Sequence, residues 1–537
     1  MSLLSIELPV KAAERISVFT PIGEFDISVQ SLETFATEGK IDKELKFYTQ
    51  RLSHDEMASL RELLQKRIKI NHVQVSRFLY SSVGELLLNY LGEHIQTDAN
   101  LNGFYALRSS LVLAAINQDG LNLIDVLKEY PSPTIRINPD VLFKIYGSLE
   151  ELYEKTNQIS DFLQQSEVDN SYSSSESASL PQINLQQSGS FSIEKQKLYL
   201  YDQERERSLT TDLYLPIDHK NAPVMIISHG FGSARDDFAY LAEHLTSHGF
   251  AVAVIQHPGS DRQQLESYLQ GTAKDILQVN DFIDRPQDIS FLINQLERLE
   301  EILPDIQSRF NLQQIGVIGH SFGGYTGLAL AGAKPNFDVL TRECSAQNFN
   351  LNVGNASHLL QCLALDLPEK YWPDLTDKRV KAVFTINPIG ASIFGEKGVE
   401  NIEIPIMMVA SSDDAIAPAL LEQVCPFSWL NSPHKYLAFI ENSTHSDATQ
   451  STTPSRINII DELDSPDPKL ARNYLKTMSL AFAKTYIALE GNYKNYLQNS
   501  YTQTISKSAM PLTLINSLTK NQLSQELKIT CPASLSD

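Results

Sequence analysis

Three residues able to share one proton-transfer chemistry, Ser321, Asp414 and His445, follow one another along this chain, each just beyond an apolar run. A serine hydroxyl is a poor nucleophile near neutral pH. It needs a base to take its proton, and the base needs a carboxylate to orient it. Ser321 lies in Gly319-His320-Ser321-Phe322-Gly323-Gly324, directly after Ile315-Gly316-Val317-Ile318, which puts a G-x-S-x-G pattern at the end of a buried strand. That context predicts a nucleophile elbow, a sharp strand-to-helix turn whose flanking glycines leave room for neighbouring backbone. The small and apolar run Gly323–Ala331 suits a helix packed closely under a sheet. Without that context the pattern is an ordinary glycine-rich turn, which a chain with 24 glycines can hold by accident.

Two carboxylates, Asp413 and Asp414, follow the strand-like Ile406-Met407-Met408-Val409-Ala410, and His445 follows Tyr436-Leu437-Ala438-Phe439-Ile440. A histidine just past a last parallel strand can reach back over the sheet edge toward Ser321, and this position selects His445 among twelve histidines. Of the others, His320 is read as pointing away from the site, His229 and His257 lie nearer the start of the sheet, and His434 precedes its last strand. The competing readings are a solvated loop aspartate and a surface histidine. Cleaving an acyl bond also builds negative charge on the carbonyl oxygen, which backbone amides must meet. The amides of Phe322 and of Phe231, in His229-Gly230-Phe231-Gly232, are the expected donors, unless those glycines merely turn the chain.

The elements that must position these groups form a repeating pattern. Strands are predicted at Lys197–Tyr201, Leu209–Leu215, Val224–Ser228, Ala251–Gln256, Gln314–Gly319, Lys381–Asn387, Pro405–Ala410 and Lys435–Ile440, with helices at Arg235–Ser247, Pro286–Ile302 and Phe322–Ala333. Eight strands alternating with helices give an α/β class, a mostly parallel sheet covered on both faces, in the layout of an α/β-hydrolase.

At 537 residues, more than one domain is expected. A smaller, mostly helical domain is predicted over 14–156, where two short strands at 16–19 and 25–29 precede leucine-rich helices. One of these helices carries a Ser53/Glu56 capping box ahead of Met57, Leu60, Leu63 and Leu64 on one face. This region shows no cluster of catalytic residue types, and its leucine stripes read as core. A serine-rich linker is expected over 157–190, the hydrolase domain over 191–500 with an insertion at 335–378, and a C-terminal extension over 501–537.

Hydrophobic residues make up 42% and charged residues 20%, as in ordinary globular chains, and the formal net charge of -21 argues against nucleic acid as a partner. No apolar stretch is long enough to suggest a transmembrane helix, and the opening residues do not read as an intact secretory signal. Cys344 and Cys362 fall within one insertion and could close a loop in an oxidising compartment or remain thiols in a cytosol, while Cys425 and Cys531 lie apart. No His/Cys spacing points to a metal.

Together, Ile227-Ser228-His229-Gly230-Phe231-Gly232, the Gly319–Gly324 turn, Asp414-Ala415-Ile416-Ala417-Pro418 and Ser443-Thr444-His445 resemble the dienelactone-hydrolase-like α/β-hydrolases. That group includes the platelet-activating-factor acetylhydrolases and the cutinase-like polyester hydrolases, and the resemblance covers about Phe191 to Gly491. It selects Asp414 over Asp413 through the Asp-x-x-x-Pro spacing. The N-terminal part resembles an uncharacterised helical domain found ahead of such hydrolases in cyanobacterial proteins, many of them exported, and this implies a periplasmic or extracellular setting. The chain departs from compact polyester hydrolases in its 335–378 insertion and in the long segment 257–285, both expected near the pocket.

The resulting expectation is a serine ester hydrolase acting on lipid-like or other carboxylic esters, with no metal or organic cofactor and an open oligomeric state. The competing readings are a peptidase on the same fold and a non-catalytic binding protein acting through its N-terminal domain.

Overall fold

The computed structural model describes residues 12–20, 23–50, 52–117, 119–171, 183–302, 307–345, 354–450 and 465–533. They form two compact units. The smaller comprises the chain up to Gly147 together with Ser267–Ile276, and the larger comprises the rest of the described residues.

The smaller unit has a four-stranded sheet in the order β2-β1-β4-β3, built from β1 (Arg15–Thr20), β2 (Gly23–Ser28), β3 (Ile95–Thr97) and β4 (Thr134–Ile137). The first two strands agree with the sequence pattern; β3 and β4 do not announce themselves in it. Seven helices between Val29 and Lys128 pack Val29, Leu32, Phe35, Leu64, Leu79, Leu88 and Leu107 into one core. The capping box of Ser53 and Glu56 is present. Met57, Leu60 and Leu64 share the inner face at helical spacing, whereas Leu63, one residue out of that period, is 56% exposed. Within this unit, Gln74 Nε2 donates to the Leu269 carbonyl and Arg77 Nη1 to that of Ala273.

Helix Pro139–Ser171 corrects the predicted domain and linker limits. It runs without a break past Asn157, where the linker was expected to begin. Ile159 and Leu163, four residues apart, are fully buried, and Thr156 and Ser160 are nearly so, which gives this polar stretch an apolar stripe. The serine-rich centre of the expected linker, 172–182, lies outside the described residues, and the C-terminal part of the segment is packed, with Leu185 fully buried.

The larger unit is a nine-stranded sheet in the order β13-β12-β11-β10-β9-β7-β8-β6-β5. Its strands are β5 (Ile193–Asp202), β6 (Arg207–Pro216), β7 (Ala222–Ser228), β8 (Ala251–Gln256), β9 (Phe310–His320), β10 (Val380–Ile386), β11 (Ile406–Ser411), β12 (Lys435–Ile440) and β13 (Leu512–Ile515). Strands β7 through β12 are parallel to their β-neighbours among themselves; β5/β6, β6/β8 and β12/β13 are antiparallel. All eight predicted strands are present. The ninth, β13, lies in the expected C-terminal extension, which thus adds an edge strand to the sheet and is tied to helix Cys425–Trp429 by the Cys425–Cys531 disulfide.

The central strands read as unbroken apolar runs because both faces are buried. Met225, Ile227, Val252, Val254, Phe384, Ile386, Met407 and Val409 form one core with Tyr474, Leu475, Met478 and Phe482 of helix Pro468–Tyr486. The alternate residues Val317 and Val383 face helix Phe322–Leu330, where Gly327 lets the helix approach them closely. The chain passes from β7 outward to β8 and then returns to the other side of β7 as β9. This reversal makes the carboxyl ends of β7 and β9 a crevice position in the topological sense, the place where open α/β sheets bind ligands.

Candidate active site

Ser321 follows β9 at that crevice, with φ 54 and ψ -116, a conformation that costs an L-residue about 1–3 kcal/mol and persists only where its surroundings enforce it. They do so here. The Ser321 N–H donates to the Ile386 carbonyl at 2.9 Å, and a side chain on Gly319 would overlap the Gly323 carbonyl, while one on Gly323 would overlap the Ser228 carbonyl. The two glycines of the motif are therefore a packing requirement of the turn itself. Phe322 is the first residue of helix Phe322–Leu330, where a backbone N–H has no partner within the helix.

Asp414 and His445 come together at the ends of the neighbouring strands β11 and β12. His445 Nδ1 donates to Asp414 Oδ2 at 2.6 Å, while Asp414 Oδ1 accepts from the amides of Ile416 and Ala417 at 2.9 and 2.7 Å. All of the aspartate's oxygens are thus held, and the side chain is fully buried. Asp413 instead accepts from Ser412 Oγ. The loop carrying His445 is closed by Asp447 Oδ2, which accepts from Ser443 Oγ and the Thr444 amide, both at 3.0 Å. Ser321 and His445 are each 6% exposed, so the site is nearly closed to solvent.

His320 is a correction. Rather than pointing elsewhere, its ring packs 4.8 Å from that of His445, and its Nε2 donates to the His445 carbonyl at 3.1 Å. Complete burial holds it well below the ordinary imidazole range and hence neutral. Its position beside Ser321 was the one signal available in the sequence.

The loop after β7 lies against the nucleophile turn. A Cβ on Gly230 would sit 3.0 Å from His320 Nδ1 and 3.2 Å from Ser321 Cβ. Phe231 follows in this loop, and the Gly232 amide donates to the Ser260 carbonyl at 2.8 Å. Helix Asp281–Ile302 begins earlier than predicted and contains Pro286. A proline there removes the N–H that would bond the Phe282 carbonyl, and the Tyr325 hydroxyl donates to that carbonyl at 2.8 Å instead.

Ser228, His257 and Asp288 form a second serine-histidine-aspartate chain. Ser228 Oγ donates to His257 Nε2 at 3.0 Å, and His257 Nδ1 donates to Asp288 Oδ2 at 2.9 Å. All three are fully buried, and Asp288 is also bound by Arg205 and Arg207. A substrate carbonyl has no approach to Ser228, so this chain is a support for the end of β7.

The 335–378 insertion, described except for 346–353, reaches the nucleophile through aromatic contacts. Phe337 meets Trp372 edge-on, Trp372 lies tilted against Phe282, and Phe282 meets Phe322 edge-on, at centroid distances of 5.7, 6.2 and 5.0 Å. Cys344 and Cys362 are joined as a disulfide. Buried Glu422 fastens the insertion to the loop after β10: Oε1 accepts from Asn355 Nδ2 and Gln361 Nε2, and Oε2 from the Gly390 and Ala391 amides. His358 lies 3.6 Å from Cys362 Sγ, but with both sulfurs bonded to each other the three side chains offer no thiolate to a metal.

Residues 12–138 match the family described as alpha/beta hydrolase of unknown function (DUF1400), and residues 223–337 match the family described as alpha/beta hydrolase fold. The chain is also similar to a protein named Cutinase est2 from Thermobifida alba, with 24% identity over 153 residues. The similarity takes in 28% of this chain and 42% of that relative, so the chain spans less than half of the relative's length. With its sheet order, its strained G-x-S-x-G turn and these matches, the chain has an α/β-hydrolase fold, preceded by an N-terminal region that matches the DUF1400 family.

Proposed function

We propose that this chain is a serine hydrolase that cleaves carboxylic esters through an acyl-enzyme. The observation that carries the reading is the Asp414–His445 hydrogen bond, formed beyond the carboxyl ends of β11 and β12, in the same sheet whose strand β9 ends at the strained Ser321 turn. Ser321 Oγ attacks the ester carbonyl and gives its proton to His445 Nε2; Asp414, bound at Nδ1, fixes the tautomer and stabilises the imidazolium. The amides of Phe231 and Phe322 receive the developing oxyanion. His445 then returns the proton to the departing alcohol, and a water molecule releases the acid by the same steps in reverse. The chemistry calls for no metal or organic cofactor.

The ester class draws support from the similarity to a protein named a cutinase. The part-exposed ring of Trp372, packed on the Phe282 ring that in turn meets Phe322, suits an apolar acyl chain. Two disulfides fit an oxidising compartment.

The test is treatment with a fluorophosphonate and location of the adduct by mass spectrometry, alongside turnover of p-nitrophenyl esters and of peptide amides. An adduct on Ser321 with turnover of esters is expected. An adduct on Ser228, or no adduct, overturns the reading, and turnover of peptides in preference to esters converts it to a peptidase.

A further inference from the structure

Arg285 is the largest fully buried side chain among the described residues, and it serves no step of the mechanism above. Placing a guanidinium where water cannot reach it is costly unless its contacts compensate. Its contacts are unusual in their destination. Nη2 donates to the His229 carbonyl, while Cζ lies 4.5 Å over the ring of Phe322. His229 opens the loop that carries the Phe231 amide, and Phe322 supplies the other amide assigned to the oxyanion. We infer that Arg285 is a positioning residue of the oxyanion hole, a single rigid cation that fixes its two arms relative to each other.

The surrounding hydrogen bonds give this arrangement its direction. His229 Nε2 accepts from the His257 amide at 3.0 Å, so Nδ1 carries the proton and donates to the Gly230 carbonyl at 2.7 Å. Burial keeps this ring neutral, well below its ordinary range. The Gly230 carbonyl and the Phe231 N–H belong to one trans planar peptide and point in opposite directions. Holding the carbonyl on His229 therefore aims the Phe231 N–H away from His229, and Arg285 holds the preceding peptide through the His229 carbonyl. The ring of Phe322, seated under the guanidinium, sets the first turn of its helix.

The charge of Arg285 is offset at longer range by two carboxylates. Asp281 and Asp288 lie on the same helix, one turn to either side of Arg285, and bind Arg207; Asp288 also takes Arg205 and the His257 Nδ1–H. Among the described residues, Nε and Nη1 of Arg285 have no hydrogen-bond partner, so its position rests on the His229 carbonyl and the Phe322 ring, while Asp281 and Asp288 attract the guanidinium only at longer range. A residue whose role was packing alone would have no need of charge here, and a methionine would fill the same space.

The inference rests on the proposed ester hydrolysis, and the experiment separates the two. Wild type, Arg285→Met and Arg285→Lys are compared on p-nitrophenyl butyrate and for inhibition by an alkyl trifluoromethyl ketone, whose hydrate mimics the tetrahedral intermediate. For Arg285→Met, kcat is expected to fall about 100-fold with KM within about threefold, and the ketone should weaken by the same factor as kcat/KM. Lysine, which keeps one donor and the charge, should recover about tenfold of the loss. A kcat and ketone affinity within threefold of wild type in the folded Arg285→Met protein would overturn the inference while leaving the hydrolase reading intact, as would a loss carried wholly by KM. Where Arg285→Met does not fold, Phe322→Leu carries the same test, because it removes the ring and keeps the amide: a tenfold fall in kcat is expected, and an unchanged kcat overturns. A wild-type protein that neither turns over an ester nor reacts at Ser321 fails the proposed function and takes this inference with it.

Discussion

A Cβ built on Gly230 would stand 3.2 Å from Cβ of Ser321, which makes the loop after β7 the wall against which the nucleophile turn rests. The atoms facing Gly230 belong to side chains, those of His320 and Ser321, and can yield by a few tenths of an ångström. Those facing Gly323 belong to the Ser228 backbone and cannot. Gly323→Ala is therefore expected to destabilise the fold by about 3 kcal/mol or more, whereas Gly230→Ala costs about 1 kcal/mol and acts mainly on turnover, lowering kcat about tenfold. Thermal melts beside ester kinetics check this, and a Gly230→Ala protein that melts as early as Gly323→Ala contradicts it.

The two neighbouring carboxylates give a second contrast. Asp414 accepts the His445 Nδ1–H, whereas Asp413 accepts from Ser412 Oγ. Asp414→Asn should lower kcat by about 10³-fold or more because the amide favours the wrong imidazole tautomer, and Asp413→Asn should stay within about threefold. Measuring both on one ester decides the matter; the reverse order would show that the wrong carboxylate has been assigned.

How much of this was legible in the sequence depends on the range of the interaction involved. The eight strands of the hydrolase sheet are visible because burial on both faces makes each one an unbroken apolar run, and the order Ser321, Asp414, His445 follows because each residue sits one loop beyond such a run. Strand β13 is four residues long, and its register is set by pairing with β12 rather than by any pattern of its own. Strands β3 and β4 are equally short. His320 was misread because its partner, the His445 carbonyl, lies 125 residues away. Arg285 follows the same rule: nothing near it in sequence shows that it meets both His229 and Phe322. Local periodicity reports burial, while the polar network beneath the site is fixed by topology.

His358 makes a pH prediction with a definite sign. It is buried within the insertion, bound to Ser392 Oγ through Nδ1 and to the Glu343 carbonyl through Nε2. Burial pulls it down to about 4 from an ordinary 6.5. The folded protein keeps the ring neutral while the unfolded chain takes up a proton below 6.5, so the stability it contributes is complete above that pH and is lost as the pH falls toward 4. Relative to His358→Asn, the wild type should lose about 1.4 kcal/mol per pH unit across that window. Denaturant melts of both proteins between pH 7 and 4 check it, and parallel curves would show that the folded site accepts the proton.

The two disulfides should separate stability from selectivity. Cys425–Cys531 closes a span of 106 residues and anchors the C-terminal segment beside the edge strand, whereas Cys344–Cys362 closes 18 within the insertion. By loop entropy the first should contribute about 5 kcal/mol and the second about 3 kcal/mol, so the Cys425→Ser, Cys531→Ser protein is expected to melt earlier than Cys344→Ser, Cys362→Ser. Activity should divide the other way. The short loop lies in the insertion whose Phe337 and Trp372 reach toward Phe282 and the nucleophile helix, while Glu422 holds the same insertion at Asn355 and Gln361. Opening it leaves the insertion pinned at one side and free to move at the other, which should broaden the preference among acyl chain lengths while leaving the rate on p-nitrophenyl acetate within about threefold. A chain-length profile identical to that of the wild type would show that Glu422 and the aromatic contacts hold the insertion without the disulfide.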